Sequence, residues 1–190
     1  MRREPPASIP PPWRVPGQGG RSRGTRLSWR SAFLAGGCLT LALGLGSYAA
    51  SRYRLGVDLQ AHGCLDGTRL YLIDTFAGAE DVRQGDLVAF RAQGIGVPVF
   101  EGQWFVKRAA GVPGDWVTVD PLHTRINGMC LADGLALAAT LKQDLTAFLR
   151  HERVPVEHFW MLGETPDSFD SRYWGFLPQT QVVGKAYALF

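Results

Sequence analysis

The chain has 190 residues, 46% hydrophobic and 19% charged, with a formal net charge of +3. That length holds one folded domain with additional segments and excludes a string of domains. The composition is ordinary, but its distribution is not: residues 1–30 carry seven arginines against one acid, net +6, and the rest carries 13 Lys+Arg against 16 Asp+Glu, net −3. A bare basic arm is weak support for nucleic-acid binding, and no nucleic-acid partner is expected.

In chain order, residues 1–30 come first. They are rich in Pro and Gly, as in Pro10-Pro11-Pro12 and Gly17-Gln18-Gly19-Gly20. Such a segment buries too little apolar area to offset the ordering of its backbone, so it is expected to be disordered and to act as a topology signal. Residues 31–51 carry no charge. About twenty residues of helix span the ~30 Å of a bilayer's hydrocarbon, which predicts a single transmembrane anchor in contact with lipid. Arg21, Arg23, Arg26 and Arg30 precede it, and only Arg52 and Arg54 follow closely. The positive-inside rule then places the N-terminus in the cytoplasm and the rest outside the inner membrane. A cleaved signal peptide ending near Ser47-Tyr48-Ala49 is the alternative.

Residues 55–190 read as one mainly β domain. Arg69 to Ile73 is a strand, and Arg83 to Phe90 is a turn followed by a strand. Phe105 to Val119, FVKRAAGVPGDWVTV, is two β-rich runs joined by a turn, in which Pro113 fixes φ and Gly114 supplies the positive φ of a type II turn. Lys107 sits among Phe105, Val106, Ala109 and Ala110. A lysine withdrawn from water can serve as a base near neutral pH; the same stretch also fits a surface lysine on a hairpin. Asn127-Gly128 marks a hairpin turn. From Asp133 to Arg150, Leu135, Leu137, Leu141, Leu145, Phe148 and Leu149 recur at helical spacing, which predicts an amphipathic helix capped by Asp133. Phe159 to Leu162 is a strand, and Val182 to Ala186 closes the sheet.

Three of these stretches, RQGDLVAF at residues 83–90, FVKRAAGVPGD at 105–115 and GETPDSFDSRYWGFLPQTQVVGKAYA at 163–188, resemble in order the boxes of the type I signal peptidases. These are membrane-anchored serine/lysine endopeptidases that remove leader peptides outside the cytoplasmic membrane. The resemblance is nearest to the plasmid conjugative-transfer (TraF-type) branch, which matures pilin precursors. It implies a coiled antiparallel β-sheet catalytic domain, here with a helical insertion over 133–150. It implies a leader-bearing precursor, pilin in that branch, as partner. No cofactor is implied, and no metal: His62, His123, His151 and His158 show no ligand spacing.

Residue by residue, the resemblance makes Lys107 the base, Ser168 the hydroxyl that orients it, and Asp170 and Arg172 the ion pair beneath the site. The family's serine nucleophile is absent. The matching position, in Ala61-His62-Gly63-Cys64-Leu65, is Cys64. A thiol ionises far more readily than a hydroxyl and is the better nucleophile once ionised. The alternatives for Cys64 are a disulfide to Cys130 and an inert thiol in a non-catalytic assembly protein that keeps the peptide groove. His62 is a candidate to help the backbone N–H groups hold the oxyanion, or to orient Cys64. Glu164 and Thr165 stand where the family usually has Asp and Asn, in a loop one residue shorter.

Overall fold

The computed structural model describes residues 28–58, 65 and 67–189. The chain divides into two compact units, Met1–Ala42 and Leu43–Phe190. The disordered arm expected over residues 1–30 lies, apart from its last three residues, outside the described part, as do His62 and Cys64.

Helix α1 runs from Trp29 to Arg52 and contains the expected span 31–51. At 1.5 Å per residue its 24 residues reach ~36 Å. With a mean hydropathy of 1.5, it is the one helix among the described residues long and apolar enough to cross a membrane. Ser28 begins it, with its hydroxyl accepting from the Ser31 N–H at 3.2 Å.

The second unit starts within this helix. Its last residue, Arg52, closes onto the carboxylate of Asp74, and the Arg52 carbonyl accepts from both the N–H and the hydroxyl of Thr75. Beyond it lie two antiparallel sheets. One has seven strands: β1 (Tyr53–Val57), β2 (Leu70–Asp74), β3 (Leu87–Arg91), β4 (Trp104–Gly111), and, after four strands given next, β9 (His158–Leu162), β10 (Leu177–Pro178) and β11 (Val182–Ala188), in the order β1-β2-β11-β3-β4-β9-β10. The other has four: β5 (Trp116–Val119), β6 (His123–Ile126), β7 (Met129–Asp133) and β8 (Arg150–Arg153), in the order β7-β6-β5-β8. Burial alternates residue by residue along β5 and β6, the period-two signature of strands with one wet face.

The run Phe105 to Val119 is not a hairpin. Strand β4 pairs with β3 and β9, while β5 pairs with β6 and β8, so the turn carries the chain from one sheet to the other. The turn chemistry is as expected: Gly114 has φ +93°, and the Asp115 N–H donates to the Val112 carbonyl at 3.0 Å. The Asp115 carboxylate accepts from the Val112 N–H at 2.8 Å. Asn127 and Gly128 both take positive φ, the signature of a type I′ hairpin, between β6 and β7.

The amphipathic helix expected over 133–150 does not form. Asp133 ends β7 instead of capping a helix, and Gly134 takes φ +59°. A single turn follows and is closed at Lys142, φ +55°, where Gln143 N–H reaches the Ala138 carbonyl and Lys142 N–H reaches that of Ala139, a Schellman closure. Asp144 then caps a four-residue 3-10 helix, Leu145–Phe148. The apolar spacing reports the core, not a helix: Leu135, Ala138 and Phe148 are buried with Val117, Ile126, Trp160 and Tyr173. On the seven-stranded sheet, a second cluster joins Val88, Phe90, Phe105, Phe159 and Met161, and a third joins Leu65, Tyr71, Ile73, Ala89 and Ala186.

Candidate active site

Lys107 lies in β4 opposite Val88 of β3 and is only 2% exposed. The surface-lysine alternative is therefore overturned: the two-residue alternation that buries Phe105 and Ala109 buries Lys107 with them. Its Nζ donates to Ser168 Oγ at 2.7 Å. Ser168 is itself 1% exposed. Among the described residues no carboxylate comes within ion-pairing distance of Lys107, so its polar partner there is a neutral hydroxyl.

Ser168 is held by the loop between β9 and helix α2 (Ser171–Trp174). Asp170 fastens both ends of that loop. One of its oxygens accepts from the Arg172 N–H at 3.2 Å, capping α2, and the other accepts from the Gly163 N–H at the end of β9 at 3.0 Å. The Arg172 guanidinium meets the same carboxylate in a two-pronged pair, Nε to Oδ1 at 2.8 Å and Nη2 to Oδ2 at 2.9 Å. Both side chains are fully buried. Burial opposes charge on Arg172, but the Asp170 pair outweighs it and holds the guanidinium above its ordinary value.

Arg172 spends its other donors on main-chain carbonyls. Nη1 reaches Asp133 at 3.1 Å and Gly134 at 3.3 Å, and Nη2 reaches Ser168 itself at 3.3 Å and Thr165 at 3.4 Å. The guanidinium thus braces the loop from below and ties it to the end of β7. Two further residues of the same box take part without having been singled out in the sequence. The Ser171 hydroxyl accepts from the Met161 N–H at 2.8 Å, and the Tyr173 hydroxyl accepts from the Leu137 N–H at 3.0 Å. Their signal was present, since both lie between Asp170 and Trp174 in the motif, but their side chains read as ordinary loop residues.

A cavity of about 500 Å³ opens beside Lys107. It is lined by Leu55 to Asp58 at edge strand β1, Tyr71 and Ile73 of β2, and Trp104 to Val106 of β4. The structure thus brings Lys107, Ser168, Asp170 and Arg172 together. Cys64 and His62 fall outside the described residues. Leu65, which follows Cys64, is 4% exposed in the cluster with Tyr71 and Ile73, and Val106 packs against that cluster. Cys130 is a free, exposed thiol in β7.

The family model and the similar sequences agree on one family. The description "Signal peptidase, peptidase S26" matches residues 29–190. A protein named probable signal peptidase I-2 from Synechocystis sp. is 32% identical over 87 residues, 45% of this chain and 38% of that protein. Another from the same organism, named probable signal peptidase I-1, is 29% identical over 160 residues, 80% of this chain and 76% of that one. The chain thus matches under two fifths of the length of the first of these relatives and about three quarters of the second. A solved signal peptidase I from Enterococcus faecalis V583 is 28% identical, covering 55% of this chain and 95% of its own, with a TM-score of 0.36.

Proposed function

This chain belongs to the signal peptidase family, peptidase S26, and from that premise we propose that it is a membrane-anchored endopeptidase that removes leader peptides from exported precursor proteins. The observation that carries the reading is the buried Lys107–Ser168 pair at the edge of a groove. An amine buried on a neutral hydroxyl adds little to stability, but it is positioned to move protons.

Cys64 is the nucleophile in this reading. Lys107 takes the Cys64 proton, and Sγ attacks the scissile carbonyl. Backbone N–H groups, with His62 as a further donor, hold the oxyanion. The tetrahedral adduct collapses to a thioester with the leader as Lys107 returns the proton to the departing amine. Water, deprotonated by Lys107, then hydrolyses the thioester and frees the thiol. Ser168 fixes the amine, and Asp170 and Arg172 fix Ser168.

An extended precursor segment lies in the groove against β1, an edge strand among the described residues, whose outward backbone groups suit β-addition. That β1 and β4, four places apart in the sheet, line one cavity supports a coiled sheet. Helix α1 anchors the chain in the inner membrane with the N-terminus in the cytoplasm and the catalytic domain outside. The narrower reading is pilin maturation in conjugative transfer, supported by the likeness of the nucleophile region to that branch. The replacement of the family's serine by Cys64 favours a second reading, a non-catalytic protein that binds precursors in the same groove.

The test is processing of a co-expressed leader-bearing pilin precursor by the wild-type chain, Cys64→Ala and Cys64→Ser. Cleavage by wild type and none by Cys64→Ala supports the thiol as nucleophile. Equal cleavage by Cys64→Ala assigns the attack to another residue. No cleavage by wild type, with the precursor retained on the protein, favours the binding reading.

A further inference from the structure

The β6–β7 hairpin gathers three donors of different chemistry that the sequence keeps apart. His123 stands directly opposite Asp133 in the strand register. In a regular strand Cys130 and Asp133, three residues apart, face opposite sides. A bulge between Thr124 and Arg125 breaks that alternation and sets Cys130 opposite Arg125. Bulges re-aim side chains in this way. As a result Cys130 Sγ lies 3.8 Å from Asp133 Oδ1, and His123 Nε2 lies 4.0 Å from the same oxygen. All three donor atoms fall within 4.8 Å of one another.

We propose that His123, Cys130 and Asp133 bind a zinc-class divalent cation. Metal–ligand bonds of ~2.0–2.3 Å in tetrahedral geometry need donors roughly 3.5 Å apart, so the observed separations close with side-chain shifts on the order of an ångström. A nitrogen, a thiolate and a carboxylate suit zinc, not calcium or magnesium. Water fills the fourth position, because the site is open to solvent. On binding, the Cys130 thiol releases its proton to water and coordinates as thiolate.

The surroundings are compatible with this. Asp120 lies on the other side of the His123 ring, with Oδ1 3.9 Å from Nδ1. When Nε2 takes the metal, the ring proton sits on Nδ1 and faces that carboxylate, the usual second partner of a metal-bound histidine. Arg125, now 3.1 Å from Nδ1, already pairs with Asp120 and turns fully to it. The main-chain carbonyl of Asp133 accepts from Arg172, so the bound ion fastens the strand end on which the buried Asp170–Arg172 pair rests.

The test is titration of the full chain in detergent with Co²⁺, followed by Zn²⁺ competition. Three proteins are compared: a Cys38→Ala/Cys64→Ala variant, in which Cys130 is the sole thiol, and that variant carrying in addition Cys130→Ser or His123→Ala. The expected result is one equivalent of Co²⁺ with a thiolate-to-cobalt charge-transfer band in the first, displaced by one equivalent of Zn²⁺. The band vanishes with Cys130→Ser, and affinity falls at least about tenfold with His123→Ala. Absence of the band in the first protein overturns the site, and so does an affinity unchanged by His123→Ala. Thermal unfolding of each variant establishes that it is folded.

Discussion

Lys107 Nζ donates a 2.7 Å hydrogen bond to Ser168 Oγ, joining two almost fully buried side chains 61 residues apart in the chain. Strand β4 delivers one, and a loop clamped at both ends delivers the other. Removing the hydroxyl frees the amine to rotate away from the groove. Ser168→Ala is expected to lower kcat on a leader-peptide substrate about 100-fold, within the range that positioned acid–base groups contribute, with little change in KM. An unchanged kcat contradicts the orienting role.

The Asp170–Arg172 pair is expected to dominate local stability. Each partner is fully buried, and each satisfies main-chain groups as well as the other. Losing one leaves an uncompensated charge in the interior, which costs about 3–5 kcal/mol. Asp170→Ala and Arg172→Ala should each shift the denaturant midpoint accordingly. A loss below about 1 kcal/mol contradicts the burial of the pair.

Asp74 gives the account a pH dependence. Its carboxyl lies below the ordinary range, chiefly because Arg52 hydrogen-bonds the ionised form, with the Phe76 N–H adding to this against the cost of burial. The folded chain therefore holds this proton less readily than the unfolded chain does. The resulting stability is complete above the unfolded value, ~3.9, and is lost as pH falls through the lower folded value. Wild type should exceed Asp74→Asn in thermal stability at pH ~7, and the gap should shrink below pH ~4. A gap that stays constant down to pH ~2 contradicts the assignment.

Gly184 marks where β11 passes closest to the end of β2. A Cβ there would lie 2.2 Å from the Asp74 carbonyl oxygen and 3.0 Å from Thr75 Cα, both backbone atoms that cannot turn aside. Gly184→Ala is expected to destabilise by roughly 1–3 kcal/mol or more, as overpacking does. A neutral effect on thermal unfolding would show that the strand can shift.

Much of this was legible in the residues. Local chemistry declared itself: Gly114, Asn127 and Gly128 take the positive φ their turns require. Of the residues the motifs marked, the four that the structure describes, Lys107, Ser168, Asp170 and Arg172, lie together in it. The segment 133–150 misled because one spacing of leucines serves either a helix or a folded-over loop, and the core formed by Trp160 and Tyr173 decided between them. The passage of β4 and β5 into different sheets was hidden for a related reason. A tight turn looks the same whether its strands pair with each other or with distant partners. Nor could spacing reveal His123, Cys130 and Asp133 as neighbours, since a bulge had to break the strand's alternation first.

The central claim is that Lys107 is the base of a peptidase. Its most direct test is precursor processing by Lys107→Met, which keeps the length and apolar stem of the side chain and removes only the amine. The account predicts a protein that unfolds within a few degrees of wild type and cleaves no precursor. Processing at the wild-type rate by that variant would contradict it.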